Sequence, residues 1–322
     1  MKETLELTCR GVAISVPNSW ERLSQELFVR LVSHLAQMQA GELSPGEVGV
    51  RYVCDAIGCD WRRLHNEDAI ANLVCIAEQL TFIFRVKYPD NDAILAHLPV
   101  DERRMCQHTD PFRLSLPIAR KLRSMDYQYA LDLCFCAQLI PAVLVDGKKY
   151  VGYTVNTAYN SLTCSLTALQ YIEARALLNG RADALPLLAA ILYFPDTYNS
   201  EKAHALATAF AKLPQELLAA ISLNFQAFNN YLFTRTEFAL LTKFNEKPTH
   251  PITTDAADAL YDLSADGLGN ATAVERLNVL TYLRILRKKT IESVRTLHGM
   301  DYDVAKISTE TGLPIDVINE II

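Results

Sequence analysis

Cys106, His108 and Asp110 place a thiol, an imidazole and a carboxylate within one short stretch, the group types of a nucleophile, its base and the residue that orients it. Such triads assemble from distant segments, because side chains this close in sequence rarely reach the required geometry. A second acidic group, Asp55, Asp60, Glu67 and Asp68, reads as carboxylates at helix ends, where they complement the helix dipole. Arg284, Arg287 and Lys288 share one face of a helix and could meet phosphates or an acidic partner. The opposing reading is a solvated face near a helix C-terminus, where cations are favoured. The three residues are a candidate interaction face.

Signatures of higher specificity are missing from the sequence. It holds no Gly-rich phosphate loop, two-histidine zinc helix, Gly-x-Ser-x-Gly elbow or calcium loop. Gly267-Leu268-Gly269 lacks a third glycine and a preceding strand, so it reads as a turn. The eight cysteines do not have metal-site spacing: Cys54 and Cys59 stand five positions apart, Cys134 and Cys136 two, with no matching histidines. Cys75, Cys106, Cys134 and Cys136 lie among apolar residues, where a thiol behaves as a small hydrophobe. No catalytic residue, cofactor or metal is expected, and the thiols are expected to be reduced.

The 322 residues carry a formal net charge of −6, which gives no general reason to expect nucleic acid or an anionic membrane as partner. The opening residues alternate in polarity and do not form a signal peptide, and the longest apolar run, Leu185 to Pro195, is too short to span a bilayer. A soluble, cytoplasmic protein is expected, with other proteins or further copies of itself as partners.

The elements that would position these groups fall into an internal echo. Thr4–Cys9 and Val12–Val16 flank Arg10-Gly11 as a hairpin; Trp20 to Ala40 reads as a helix stopped by Gly41. Ser44 and Glu47 form a capping box opening a second helix to Ile57 and Gly58. Later, Val143–Val145 and Tyr150–Val155 flank Asp146-Gly147, the strongest hairpin signal in the chain. Tyr159 and a helix Leu166–Leu178 follow, stopped at Gly180, and then Ala184–Leu192. Leu23-Ser24 corresponds to Leu166-Thr167 and Phe28 to Tyr171. Duplication would make sense if the two hairpins paired into one small sheet, since a lone hairpin is marginal in water.

Between the two units, Asp60 to Val86 reads as one or two helices, Ile94–Leu98 and Arg103–Pro111 as irregular, and Pro117 to Leu139 as helix. In that last segment Ile118, Leu122, Met125, Tyr129, Leu133 and Cys136 form the inner stripe. Downstream, helices are expected at Ser200–Leu213, Glu216–Phe233, Thr254–Leu263 and Thr272–Leu297, with a polar patch at Asn245–Asp255. Two short helices, Asp303–Glu310 and Ile315–Ile322, surround Thr311-Gly312-Leu313-Pro314 in a helix-turn-helix outline. From Asp301 to Ile322 there are five acids and one lysine, which argues for a packed hairpin or protein-docking knob rather than a DNA reader. The fold class expected is α+β, mainly α-helical, with two short β-hairpins on helical layers. The domains expected are 1–140, 141–245 and 252–322.

The stretches ISVPNSWERLSQELFVRL, YNSLTCSLTALQYIEARALL with LPLLAAILYFP, and VERLNVLTYLRILRKKTIE resemble proteins encoded in phage and prophage structural-gene clusters of gut bacteria. The likeness covers most of the chain and lies in layout and scattered residues, with no catalytic residue to transfer. It implies a virion-associated or virion-assembly role, and the function expected is a non-enzymatic structural or assembly protein of a phage tail or connector, acting through protein contacts. The alternatives are a DNA-associated regulator using the C-terminal helices and, third, an enzyme without a recognisable motif.

Overall fold

The computed structural model describes residues 3–9, 12–63, 66–88, 91–158, 161–178, 182–244 and 271–322. The fold is α+β and mainly helical, with two-stranded antiparallel ladders. Two compact units divide the chain, Met1–Leu133 and Cys134–Ile322.

In the first unit, β1 (Thr4–Cys9) and β2 (Val12–Pro17) pair from Thr4↔Pro17 to Cys9↔Val12; the turn residues Arg10 and Gly11 lie outside the described residues. The helix expected from Trp20 to Ala40 is a 3-10 turn, Trp20–Arg22, followed by α1 (Gln25–Gln39). Ser24 causes the break: it is extended, and its hydroxyl accepts the Leu27 N–H as an N-cap. Gly41 takes a left-handed φ of 78°. The Ser44–Glu47 capping box is formed and opens α2 (Pro45–Ile57). α1 and α2 pack together and bury Phe28, Leu31, Val32 and Leu35 with Val48, Tyr52 and Val53, and α2 also covers β2. The Tyr52 hydroxyl donates to the Pro17 carbonyl at 2.5 Å, and the Trp20, Phe82 and Tyr52 rings meet edge to face.

α3 (Glu67–Ala77) follows, but the expected helix does not reach Val86. Phe84–Lys87 is β3, paired with β4 (Gln128–Leu131) in the register Phe84↔Leu131 to Lys87↔Gln128. The segments expected to be irregular hold α4 (Asn91–Leu95) and α5 (Val100–His108). Two arginines complete their loops: Arg103 donates to the Leu95, Ala96 and Leu98 carbonyls, Arg123 to those of Pro111, Phe112 and Leu114.

The helix expected over Pro117–Leu139 is wrong. Only α6 (Ala119–Arg123) is helical; β4 and an irregular stretch follow. Ile118, Leu122 and Met125 do face one core, with Val86, Leu95, Cys106 and Leu114. Tyr129 instead pairs across the ladder with Val86, so a partner distant in sequence overrides the local helical spacing.

In the second unit, β5 (Ala142–Val145) and β6 (Lys148–Val151) close through Asp146 and Gly147, at φ 49° and 77°, the two positive dihedrals of a type I′ turn. The strand expected to continue to Val155 ends at Val151. A separate ladder of β7 (Val155–Asn156) and β8 (Thr163–Cys164) follows. Each expected hairpin stands as its own two-stranded sheet, and each has helical cover: Tyr52 seals the base of the first, and Phe210 packs on Tyr150 of the second.

α7 (Ala168–Leu177), α8 (Leu185–Leu192), α9 (Ser200–Phe210) and α10 (Gln215–Arg235) build the core around Tyr171, Ile191, Tyr193, Phe225 and Phe228. Thr167 caps α7 as Ser24 caps α1. The Tyr193 hydroxyl donates to the Ile140 carbonyl at 2.5 Å, so a tyrosine near the second helix of each unit holds the base of that unit's hairpin. The echo thus recurs as hairpin, capped helix, helix, with β7 and β8 interposed in the second unit. Tyr159 and Gly180 lie outside the described residues, as do the polar patch Asn245–Asp255, the expected helix Thr254–Leu263 and the expected turn at Gly267-Leu268-Gly269.

The helix expected over Thr272–Leu297 breaks into α11 (Ala271–Glu275) and α12 (Val279–Gly299), because Asn278 is extended and caps α12. Asn278 also bridges Thr167, and its amide donates to the Cys164 carbonyl at 2.5 Å. α13 (Val304–Thr311) and α14 (Ile315–Ile321) complete the chain.

Candidate functional site

The structure takes the Cys106, His108 and Asp110 stretch apart. Cys106 is fully buried in the apolar cluster of β3, α4 and α6, and burial pushes its thiol pKa up, away from the thiolate a nucleophile needs. The His108 side chain, 6% exposed, lies 3.9 Å from Asp132, which in turn sits 2.8 Å from Arg85. Burial lowers the His108 pKa; Asp132 opposes that effect, while Arg85 and Arg104 add to it. Asp110 faces elsewhere: it caps the Phe112 N–H at 2.8 Å and accepts the Tyr129 hydroxyl at 2.5 Å. Burial first, then the hydrogen bond to Asp110 and that carboxylate's charge, raise the Tyr129 pKa. Thiol, imidazole and carboxylate therefore serve three different local structures.

The acidic group from Asp55 to Asp68 is likewise dispersed. Asp55 holds His34 at 2.8 Å and Arg30 at 3.2 Å, tying α1 to α2. Asp60 accepts the Arg62 N–H at 3.1 Å, and Glu67 and Asp68 occupy the first turn of α3. Among the described residues, no group of three or more His, Cys, Asp or Glu side chains is placed to hold a metal ion. Among the same residues, no helix is long and apolar enough to cross a membrane.

Arg284, Arg287 and Lys288 all lie on α12. Arg284 and Arg287 both reach Glu237 at 3.5 Å, and Lys288 lies 3.5 Å from Glu292 one turn on. A carboxylate is set against each of the three charges. Beside it, α12, α13 and α14 share a core of Val294, Ile307, Leu313, Val317 and Ile318. Gly312 turns the chain with a φ of 72°, and the Ser308 hydroxyl donates to the Leu313 carbonyl at 2.6 Å. The outward side of α14 carries Ile315, Asp316, Asn319 and Glu320.

The feature that sequence reasoning passed over is the outer face of the β5–β6 hairpin. Val143, Val145 and Tyr150 point inward and are buried. Leu144 and Val151 belong to the alternate pairs Leu144↔Lys149 and Ala142↔Val151, on either side of the inward pair Val143↔Tyr150, so they share the opposite face, 70% and 58% exposed. The signal is present in the sequence: four consecutive apolar residues, Ala142 to Val145, in a strand of alternating sides must put two of them outward. Lys148 and Lys149 guard the edge of β6, and β5 has no charge of its own.

Comparison with protein-family models, with curated proteins and with solved structures gives no match.

Proposed function

We propose that this chain is a non-enzymatic structural or assembly protein of phage or prophage origin, tail or connector associated, acting through contacts with further copies of itself and with other virion proteins. The observation that carries the reading is the β5–β6 hairpin. It presents Leu144 and Val151 to solvent, beside a β5 edge that, among the described residues, is paired on one side only and that carries no charged residue. Such an edge is a template for strand addition, and two antiparallel copies of β5 meeting across a two-fold axis would satisfy each other. The sequence resemblance to phage structural-cluster proteins points the same way. Light scattering on the full chain and on Leu144→Asp/Val151→Asp tests it: the wild type associates and the variant does not.

A second reading has one specific observation in its favour, the α13–Gly312–α14 turn packed on α12. A DNA-associated regulator would use α14 as its reading helix. The charges oppose it, because Asp316 and Glu320 face outward on α14 and Glu237 stands against Arg284 and Arg287. Binding of duplex DNA that weakens steeply with salt would establish this reading; no binding at low salt removes it.

A further inference from the structure

α2 ends in a paired hydrogen-bond stop. Gly58 adopts a left-handed φ of 70°, the Cys59 N–H donates to the Cys54 carbonyl at 2.8 Å, and the Gly58 N–H donates to that of Asp55 at 3.3 Å. This arrangement draws together the side chain at the start of the last helical turn and the one just past the glycine, a contact that is usually apolar. Here both positions are cysteine, both thiols are free, and they lie within hydrogen-bonding reach of each other. Cys54 is fully buried on the inner side of α2; Cys59 is half-buried at the surface.

We propose that Cys54 and Cys59 form a redox modification site, a reversible disulfide that closes across the C-terminal stop of α2. It stands apart from the proposed assembly role. The oxidant is hydrogen peroxide. The Cys59 thiolate attacks one peroxide oxygen, the O–O bond breaks, and the released hydroxide takes up a proton as water. Cys59 is left as a sulfenic acid. The Cys54 sulfur then attacks the Cys59 sulfur: the S–S bond forms, the S–O bond breaks, and the hydroxyl departs as a second water with the Cys54 proton. Two electrons pass from the two thiols to the peroxide, and a dithiol reductant returns them.

The roles follow from the surroundings. Burial first, then the neighbouring Cys59, Asp55 and Asp60, pushes the Cys54 thiol up to about 11, so it is a poor first nucleophile. Cys59 has the exposure to meet the oxidant, and the stop holds Cys54 ready to resolve it. Closure would fasten the end of α2 to the approach to Trp61, whose ring lies under Arg51 at 4.1 Å.

The test uses the full chain treated with hydrogen peroxide, alkylated under denaturing conditions and digested with trypsin. Both cysteines fall on the single peptide Tyr52–Arg62. The expected result is an unalkylated peptide two hydrogens lighter, which gains two alkyl groups after dithiothreitol. Alkylation at both positions, under conditions that oxidise the exposed Cys75, would overturn the proposal. So would Cys59 advancing to sulfinic acid with Cys54 still alkylatable. Cys59→Ser provides the second arm: Cys54 should stay alkylatable after peroxide, and its loss there would show that its partner is not Cys59.

Discussion

Asn224 of α10 acts as a strand for Leu139. Its side-chain oxygen accepts the Leu139 N–H at 2.8 Å, and its amide donates to the Ala137 carbonyl at 2.8 Å. Asn224 is 1% exposed, so the irregular stretch entering the second hairpin has its backbone satisfied by one buried amide where water cannot serve. Asn224→Ala leaves a buried donor and a buried acceptor without partners, and is expected to lower unfolding free energy by about 2–4 kcal/mol. Asn224→Leu fills the volume but restores neither bond, so it should lose a comparable amount. Urea midpoints at unchanged m value measure both; a near-neutral Leu variant would contradict the role.

Gly152 and Tyr193 form a second tight relationship. A Cβ at position 152 would stand 2.9 Å from Tyr193 Cε1 and 3.1 Å from Cζ. Gly152→Ala therefore displaces the ring whose hydroxyl holds Ile140, and should cost about 1–3 kcal/mol. Tyr193→Phe removes only the hydroxyl bond, about 1–2 kcal/mol. Both act on one ring, so the double variant should lose less than the sum, as a thermal-denaturation double-mutant cycle would read.

Acid should weaken the first unit through His108. Burial lowers its folded-state pKa below the ordinary 6.5, with Asp132, Arg85, Arg104 and the Phe84 backbone as the groups facing it. The unfolded chain therefore binds the proton first. The stabilisation from neutral His108 is complete above pH 6.5 and is lost as pH falls from there through the lower folded pKa. Denaturant unfolding between pH 8 and 5 should show this decline beginning near 6.5, and His108→Asn should flatten that part of the curve. An unchanged slope in the variant would assign the decline to other groups.

Local chemistry made much of this fold readable. The Ser44–Glu47 box, the left-handed glycines at 41 and 58 and the Asp146-Gly147 turn depend on nearest neighbours, and each appears where its residues place it. Ser24 and Asn278 broke two expected helices because an apolar period carries across a cap that only the backbone reveals. The larger error, helix over Pro117–Leu139, came from pairing partners far away: Phe84–Lys87 for β4 and Asn224 for the stretch after it. The candidate triad failed for the same reason, since the carboxylate beside His108 is Asp132, not Asp110. On α12 the basic residues were legible, but Glu237, which two of them share, lies in a distant 3-10 turn. Leu144 and Val151 were legible as apolar; only the register showed that they face out together.

The most direct measurement of the assembly reading is the molar mass of the full chain by light scattering across a concentration series, wild type beside Leu144→Asp/Val151→Asp. Both substituted positions are solvent-facing in the monomer, so the variant should keep its circular dichroism and thermal transition. The account predicts a mass that rises with concentration for the wild type and stays at one chain for the variant. A wild type that remains a single chain throughout, or a variant that associates equally well, would contradict it.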